Sequence, residues 1–155
     1  MQLSIPGVGD LEVKHLVLDF NGTIARDGQL LSNLDQTLQK LAEKITIHIL
    51  TADTGGTVRH ELAGLPCTLH IITAGSEAEQ KAAYIRQLGA DQTICFGNGA
   101  NDCLMLQEAR LGVAVLEGEG TAVSAVNHAD IVCRSIYDAM GLLMVPQRII
   151  ATMRR

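Results

Sequence analysis

A chain of 155 residues, 47% of them hydrophobic, is long enough for one domain that buries about 70% of its unfolded surface. Its net charge of -5, with no Lys/Arg run beyond Arg154-Arg155, excludes a dedicated nucleic-acid binder, because counterion release needs clustered cations. The apolar runs fall well short of the roughly 18 to 20 residues a membrane span needs, and no basic-then-apolar leader opens the chain, so a cytoplasmic protein is expected.

Met1 to Asp10 carries Pro6-Gly7 and Gly9-Asp10 and reads as a short edge strand and turn. Apolar strand-like runs then follow at about 15–20, 46–51, 68–73, 93–97, 111–116 and 131–133. Helical patterns at about 33–43, 55–63, 77–88, 101–109, 121–127 and 135–144 alternate with them. Such alternation predicts repeated βα units, right-handed crossovers and a three-layer, doubly wound α/β fold with a mainly parallel sheet. With aromatics at only 3% of the chain, the interior must be built from Leu, Ile, Val, Ala and Met. Cys67, Cys95, Cys103 and Cys133 form no C-x-x-C pair and read as reduced thiols, the first, second and fourth of them as small hydrophobes in or beside strands.

Four polar sites punctuate this pattern. Leu16-Val17-Leu18 delivers Asp19 into Asn21-Gly22-Thr23, and Ile47-His48-Ile49-Leu50 ends on Thr51-Ala52-Asp53. Lys81 lies in the helix over 77–88, and Ile94-Cys95-Phe96 runs into Gly97-Asn98-Gly99-Ala100-Asn101-Asp102. Taken singly, Asp19 could open a turn, Thr51 could cap a helix leading into Thr54, and Lys81 could sit on a solvated face. His48 reads as a satisfied core or face histidine, Asp53 as a turn or cap residue and Asp91 as a loop residue.

In this order the four sites resemble the motifs of the haloacid dehalogenase-like superfamily of phosphohydrolases. They are spaced 32 residues from Asp19 to Thr51, 30 from Thr51 to Lys81 and 17 from Lys81 to Asn98. Within that superfamily Thr51-Ala52-Asp53 and the 97–102 loop are most similar to the phosphorylation domains of P-type ATPases. The resemblance implies a single domain over 1–155 with Asp19 as nucleophile, forming an aspartyl phosphate. It implies that Gly22, Thr23, Thr51, Ala52 and Lys81 hold the phosphate, and that Asp19, the Asn21 carbonyl, Asn98 and Asp102 hold Mg²⁺. Only a short flap with an Asp27-Gly28 turn follows Thr23, and nothing larger is inserted before Lys81. By resemblance this is a capless member, which acts on large phosphorylated substrates or borrows a lid from a neighbour in a homo-oligomer. Leu30-Leu31 and Leu142-Leu143-Met144-Val145 could supply oligomer contacts, although core packing explains them as well.

Two residues depart from the pattern. Asn21 stands where most such phosphatases carry a second Asp that protonates the leaving group and then activates water, a role worth ~10² to 10⁴ in rate. A slow enzyme, or one restricted to good leaving groups, is therefore expected. Asn98 stands where a metal-binding Asp is usual, which keeps an oxygen but loses a charge. Both departures also motivate a rival from another class, a regulatory module that binds phosphate or nucleotide without cleaving it. A receiver-domain reading is disfavoured, because such domains carry the phosphoacceptor after the third strand and Asp19 ends the first long one.

Overall fold

The structure is a computed structural model that describes residues 1–52 and 56–155. Asp53, read above as a turn or cap residue, and Thr54, into which a cap at Thr51 would lead, lie outside the described residues. Six parallel strands form the central sheet: β3 (His15–Asp19), β6 (Thr46–Thr51), β7 (Thr68–Ile71), β8 (Thr93–Gly97), β9 (Leu111–Val115) and β10 (Ile131–Cys133). Their spatial order is β10-β9-β8-β3-β6-β7, so the chain winds outward from β3 in one direction and then returns to wind outward from β8 in the other. The gap between β3 and β8 is the point of reversal, where open α/β sheets place their ligand crevice.

Strand burial follows from position in this order. Leu16, Val17 and Leu18 of β3 are all fully buried, as expected of a central parallel strand covered on both faces. The alternation of side chains divides them between two cores. Leu16, Leu18 and Phe20 belong to the larger one, and Val17 joins Leu50, Ile85, Cys95, Met105 and Leu106 in the smaller. The edge strand β7 is only half buried along its length.

Helices α1 (Leu34–Ala42) and α6 (Ile136–Met144) pack on one another, and α1 presents Leu34, Leu38 and Leu41 to the interior at helical spacing. On the opposite face, α3 (Glu77–Leu88) packs against α4 (Cys103–Glu108), and α5 (Val123–His128) packs on α4. A 3₁₀ turn over Ala100–Asp102 replaces the first residues of the fourth expected helix. The helix expected at 55–63 is the shorter α2 (Thr57–Glu61), which gives way to a turn at Gly64, held at φ +78°.

Two features differ from the sequence reading. The N-terminal segment does not join the main sheet: β1 (Gln2–Ile5) and β2 (Gly9–Glu12) pair with each other as an antiparallel hairpin. Leu3, Ile5 and Leu11 point inward from it, and Arg155 N donates to the Pro6 carbonyl at 3.1 Å. An additional helix, α7 (Gln147–Met153), follows Pro146 and contacts β1. Pro146 at its start was the overlooked signal, since proline is favoured where a helix begins. Leu142 and Leu143 are core residues. Among the described residues all four cysteines are free, with Cys95 and Cys133 buried and Cys67 and Cys103 half-buried. No helix among the described residues is long and apolar enough to cross a membrane.

His48 is buried as expected, and it sits in a chain of polar rings. His15 Nδ1 and His48 Nε2 share a hydrogen bond of 3.1 Å, and His48 Nδ1 and Tyr84 Oη share one of 3.0 Å. Burial, with a smaller contribution from the neighbouring His15, pulls the His48 pKa down to about 4. The fold therefore binds less proton at His48 than the unfolded chain does, so this stabilisation is complete above pH ~6.5 and is lost as pH falls towards 4. Replacing His48→Gln should remove about 2 to 3 kcal/mol of the wild-type protein's stability loss between pH 7.5 and 4.5. Urea unfolding of both forms at both pH values checks this, and equal pH dependence would contradict it.

Candidate active site

Asp19 is the last residue of β3, at the carboxyl edge where the sheet reverses. The chain then turns back at once: Ile24 N and Ala25 N both donate to the Phe20 carbonyl, at 3.0 and 2.9 Å. Gly22 adopts φ +80°, and a Cβ there would collide with the Asn98 amide, so only glycine fits. From the neighbouring strand β8, Gly97 leads into the 98–102 loop. A Cβ on Gly97 would lie 2.6 Å from Asp102 Cγ, so this glycine makes room for the second carboxylate.

Lys81 joins the two acids. Its Nζ lies 2.5 Å from Asp19 Oδ1 and 2.6 Å from Asp102 Oδ1, with the lysine 1% exposed and Asp102 fully buried. Asp102 Oδ2 accepts from the backbone amides of Asn98 and Gly99, at 3.0 and 2.8 Å. Burial and the Asp102 charge push the Asp19 pKa up to about 7, against the opposing pull of Lys81. Burial would lower the Lys81 pKa, but the two carboxylates outweigh it and hold the ammonium above its ordinary value. At neutral pH the cluster is thus one shared cation between two acids, one of which sits near its titration point.

The helix bearing Lys81 is fixed at its entrance. The Gln80 side chain accepts from Thr73 N and Thr73 Oγ1, at 3.1 and 3.0 Å, and donates to the carbonyls of Thr73 and Gly75, at 2.9 and 2.6 Å. Asn101 Nδ2 donates to Glu77 Oε2 at 2.7 Å, tying the 98–102 loop to the first turn of α3. Neither Gln80 nor Glu77 stood out in the sequence, because each acts on a partner that only the fold brings close.

The remaining expected residues divide. Asp19, Asn21, Thr51, Ala52, Asn98 and Asn101 line one cleft of about 290 Å³. Gly22 and Thr23 do not offer their amides to it. Gly22 N donates to the Ala25 carbonyl at 2.7 Å and Thr23 N to the Phe20 carbonyl at 3.2 Å. In this structure both amides, expected to cradle phosphate, close the turn. Thr23 Oγ1 donates instead to Asn98 Oδ1 at 3.1 Å. Asn21 Oδ1 accepts from Gly28 N at 3.0 Å, which ties the nucleophile turn to the flap hairpin β4 (Ala25–Arg26) and β5 (Gln29–Leu30). Asp27 and Gly28 both take positive φ, the two-residue turn their sequence suggested.

The cleft offers a cation the hard oxygens of Asp19, which lines it with Asn21, Thr51, Asn98 and Asn101, while the fully buried Asp102 carboxylate stands across Lys81 from Asp19 and is held there by two backbone amides. Among the described residues no group of three or more His, Cys, Asp or Glu side chains forms a ready cage for a metal ion. That donor chemistry fits Mg²⁺, which keeps several waters and takes one or two protein carboxylates, better than it fits Zn²⁺.

The haloacid dehalogenase-like hydrolase family matches residues 75–144. An uncharacterized protein of Methanocaldococcus jannaschii is 37% identical over 84 residues, covering 52% of this chain and 90% of that protein. A guanylate cyclase of Toxoplasma gondii is 30% identical over 132 residues, 75% of this chain but only 3% of that much longer protein. Among solved structures, 3-deoxy-D-manno-octulosonate 8-phosphate phosphatase from Moraxella catarrhalis, in complex with magnesium, phosphate and KDO, superposes with a TM-score of 0.71. It is 16% identical, with 90% of each chain covered, a likeness of fold.

Proposed function

We propose that this chain, matched by the haloacid dehalogenase-like hydrolase family over residues 75–144, is a member of that family and a Mg²⁺-dependent phosphohydrolase working through an aspartyl phosphate on Asp19. The observation that carries the reading is the placement of Lys81 between Asp19 and Asp102 at the reversal of the sheet. A buried carboxylate with a pKa near neutrality is a poor nucleophile while protonated and a competent one once ionised. The Lys81 ammonium favours the ionised form and can meet the charge on the transferring phosphoryl oxygens. The hydroxyl of Thr51 and the amide of Ala52, residues that line the cleft, would contact those oxygens.

Asp19, the Asn21 carbonyl and Asp102 would hold the Mg²⁺, with waters completing its shell. When bound, the ion supplies charge neutralisation between the carboxylates and an incoming phosphate. Attack by an Asp19 carboxylate oxygen on phosphorus forms the O–P bond and releases the leaving group, and water then cleaves the acyl phosphate in a second displacement. Asn21 can neither protonate a leaving group nor take a proton from water. Turnover is accordingly slow, and good leaving groups such as acyl phosphates are favoured, the character that aligns this chain with the P-type-ATPase-like branch. The short flap leaves the cleft open to large phosphorylated substrates.

Hydrolysis of acetyl phosphate or p-nitrophenyl phosphate that requires Mg²⁺ and disappears in Asp19→Ala is the expected result. A folded protein that is stabilised by phosphate compounds but releases no product would favour the second reading, a binding module. That reading draws on Lys81 already compensating both acids.

A further inference from the structure

We propose that Asn98 is a latch and not a metal ligand: its side-chain amide holds the 116–122 loop, and through that loop the flap, against the nucleophile turn. Every polar atom of this residue is engaged by protein. Asn98 Nδ2 donates to the Gly120 carbonyl at 2.9 Å, and Asn98 Oδ1 accepts from Thr23 Oγ1 at 3.1 Å. Its backbone carbonyl accepts from Ala122 N at 2.8 Å, and its backbone amide donates to Asp102 Oδ2 at 3.0 Å. The side chain is also wedged against Gly22, where no Cβ could fit.

The bond to Gly120 explains why an amide stands here. A carboxylate has no proton to give that carbonyl, and would bring oxygen against oxygen in a buried site. It would also add a third carboxylate to a cluster in which one Lys81 ammonium already serves two. The departure at position 98 is thus matched by a donor–acceptor pair that only Asn satisfies.

The held loop does not end at Gly120. Glu119 Oε1 accepts from the flap amide of Asp27 at 2.7 Å. The Arg26 guanidinium lies over Gly118 and 3.9 Å from Glu117 Oε2. Asn21 bonds the same flap from the other side, at Gly28. Asn98 therefore ties the loop and flap to the nucleophile turn beside the cleft, with its own polar atoms committed to protein, whereas Asp19 lines the cleft as a carboxylate donor for a cation. The statement about donors rests on the metal-dependent reading above, whereas the latch does not.

Amide hydrogen exchange on metal-free protein and Mn²⁺ binding by electron paramagnetic resonance separate the two roles in wild type, Asn98→Asp and Asn98→Ala. The nearly isosteric Asn98→Asp keeps the test decisive should Asn98→Ala fail to fold. The latch predicts that the amides of Asp27, Gly120 and Ala122 exchange about tenfold faster in both variants, the scale set by losing one buried hydrogen bond. It predicts that Mn²⁺ affinity in Asn98→Ala stays within about threefold of wild type, since lost metal-site interactions typically cost about 10- to 100-fold. Unchanged exchange in Asn98→Asp, or Mn²⁺ binding weakened about tenfold or more in Asn98→Ala, would overturn the proposal. Faster exchange with no Mn²⁺ bound by any form would support the latch and sink the metal-dependent reading alone.

Discussion

Replacing Lys81→Met is expected to destabilise the protein by about 3 to 5 kcal/mol at pH 7.5, the cost of stripping the partner from a buried charge, and to abolish phosphoryl transfer. The lysine is 1% exposed and its Nζ touches both Asp19 and Asp102. Methionine keeps the apolar stem but leaves two buried carboxylates facing one another without compensation. Protonation of Asp19, whose pKa already lies at about 7, relieves part of that repulsion. The destabilisation should therefore shrink as pH falls from 8 to 6, because the proton substitutes for the missing ammonium. Urea unfolding over that range reads the effect directly. An unchanged midpoint would mean that the acids do not depend on Lys81, and retained turnover would remove Lys81 from the chemistry.

Replacing Asn21→Asp is expected to raise turnover of an aryl phosphate by ~10² to 10⁴, the usual worth of a general acid–base group. The local structure is prepared for the change. Asn21 already uses its Oδ1 to accept from the flap amide of Gly28 at 3.0 Å, and a carboxylate oxygen can accept the same bond. The new carboxyl would sit on the cleft wall beside Asp19 with the turn undisturbed. The gain should be largest for poor leaving groups, which need a proton, and smallest for acetyl phosphate. Equal rates in both forms for an aryl ester would show that leaving-group protonation does not limit this enzyme.

The parts of the fold that could be read in the sequence are those where burial imposes a local pattern. Leu16-Val17-Leu18 could only be a strand covered on both faces, and it ends at Asp19 as its composition suggests. The 77–88 helix was equally legible, with matching ends and Lys81 on its inward face beside Ala82 and Ile85. The N-terminal hairpin was misjudged because a short alternating segment satisfies an edge strand and a separate ribbon alike. That the amides of Gly22 and Thr23 bond to the carbonyls of Ala25 and Phe20 is likewise invisible in a sequence, because those bonds depend on how the turn closes. Contacts such as Glu119 with Asp27, which are 92 residues apart, leave no periodic trace. The same is true of Asn98 with Gly120, where the reason for an amide lies wholly in its partner.

The central claim is that Asp19 takes up a phosphoryl group. Peptide mass spectrometry after acid quench of protein incubated with acetyl phosphate and Mg²⁺ tests it most directly. The account predicts one phosphoryl increment, on the peptide containing Asp19, dependent on Mg²⁺ and missing from Asp19→Asn. An increment on any other residue, or none under conditions where product is released, would contradict it.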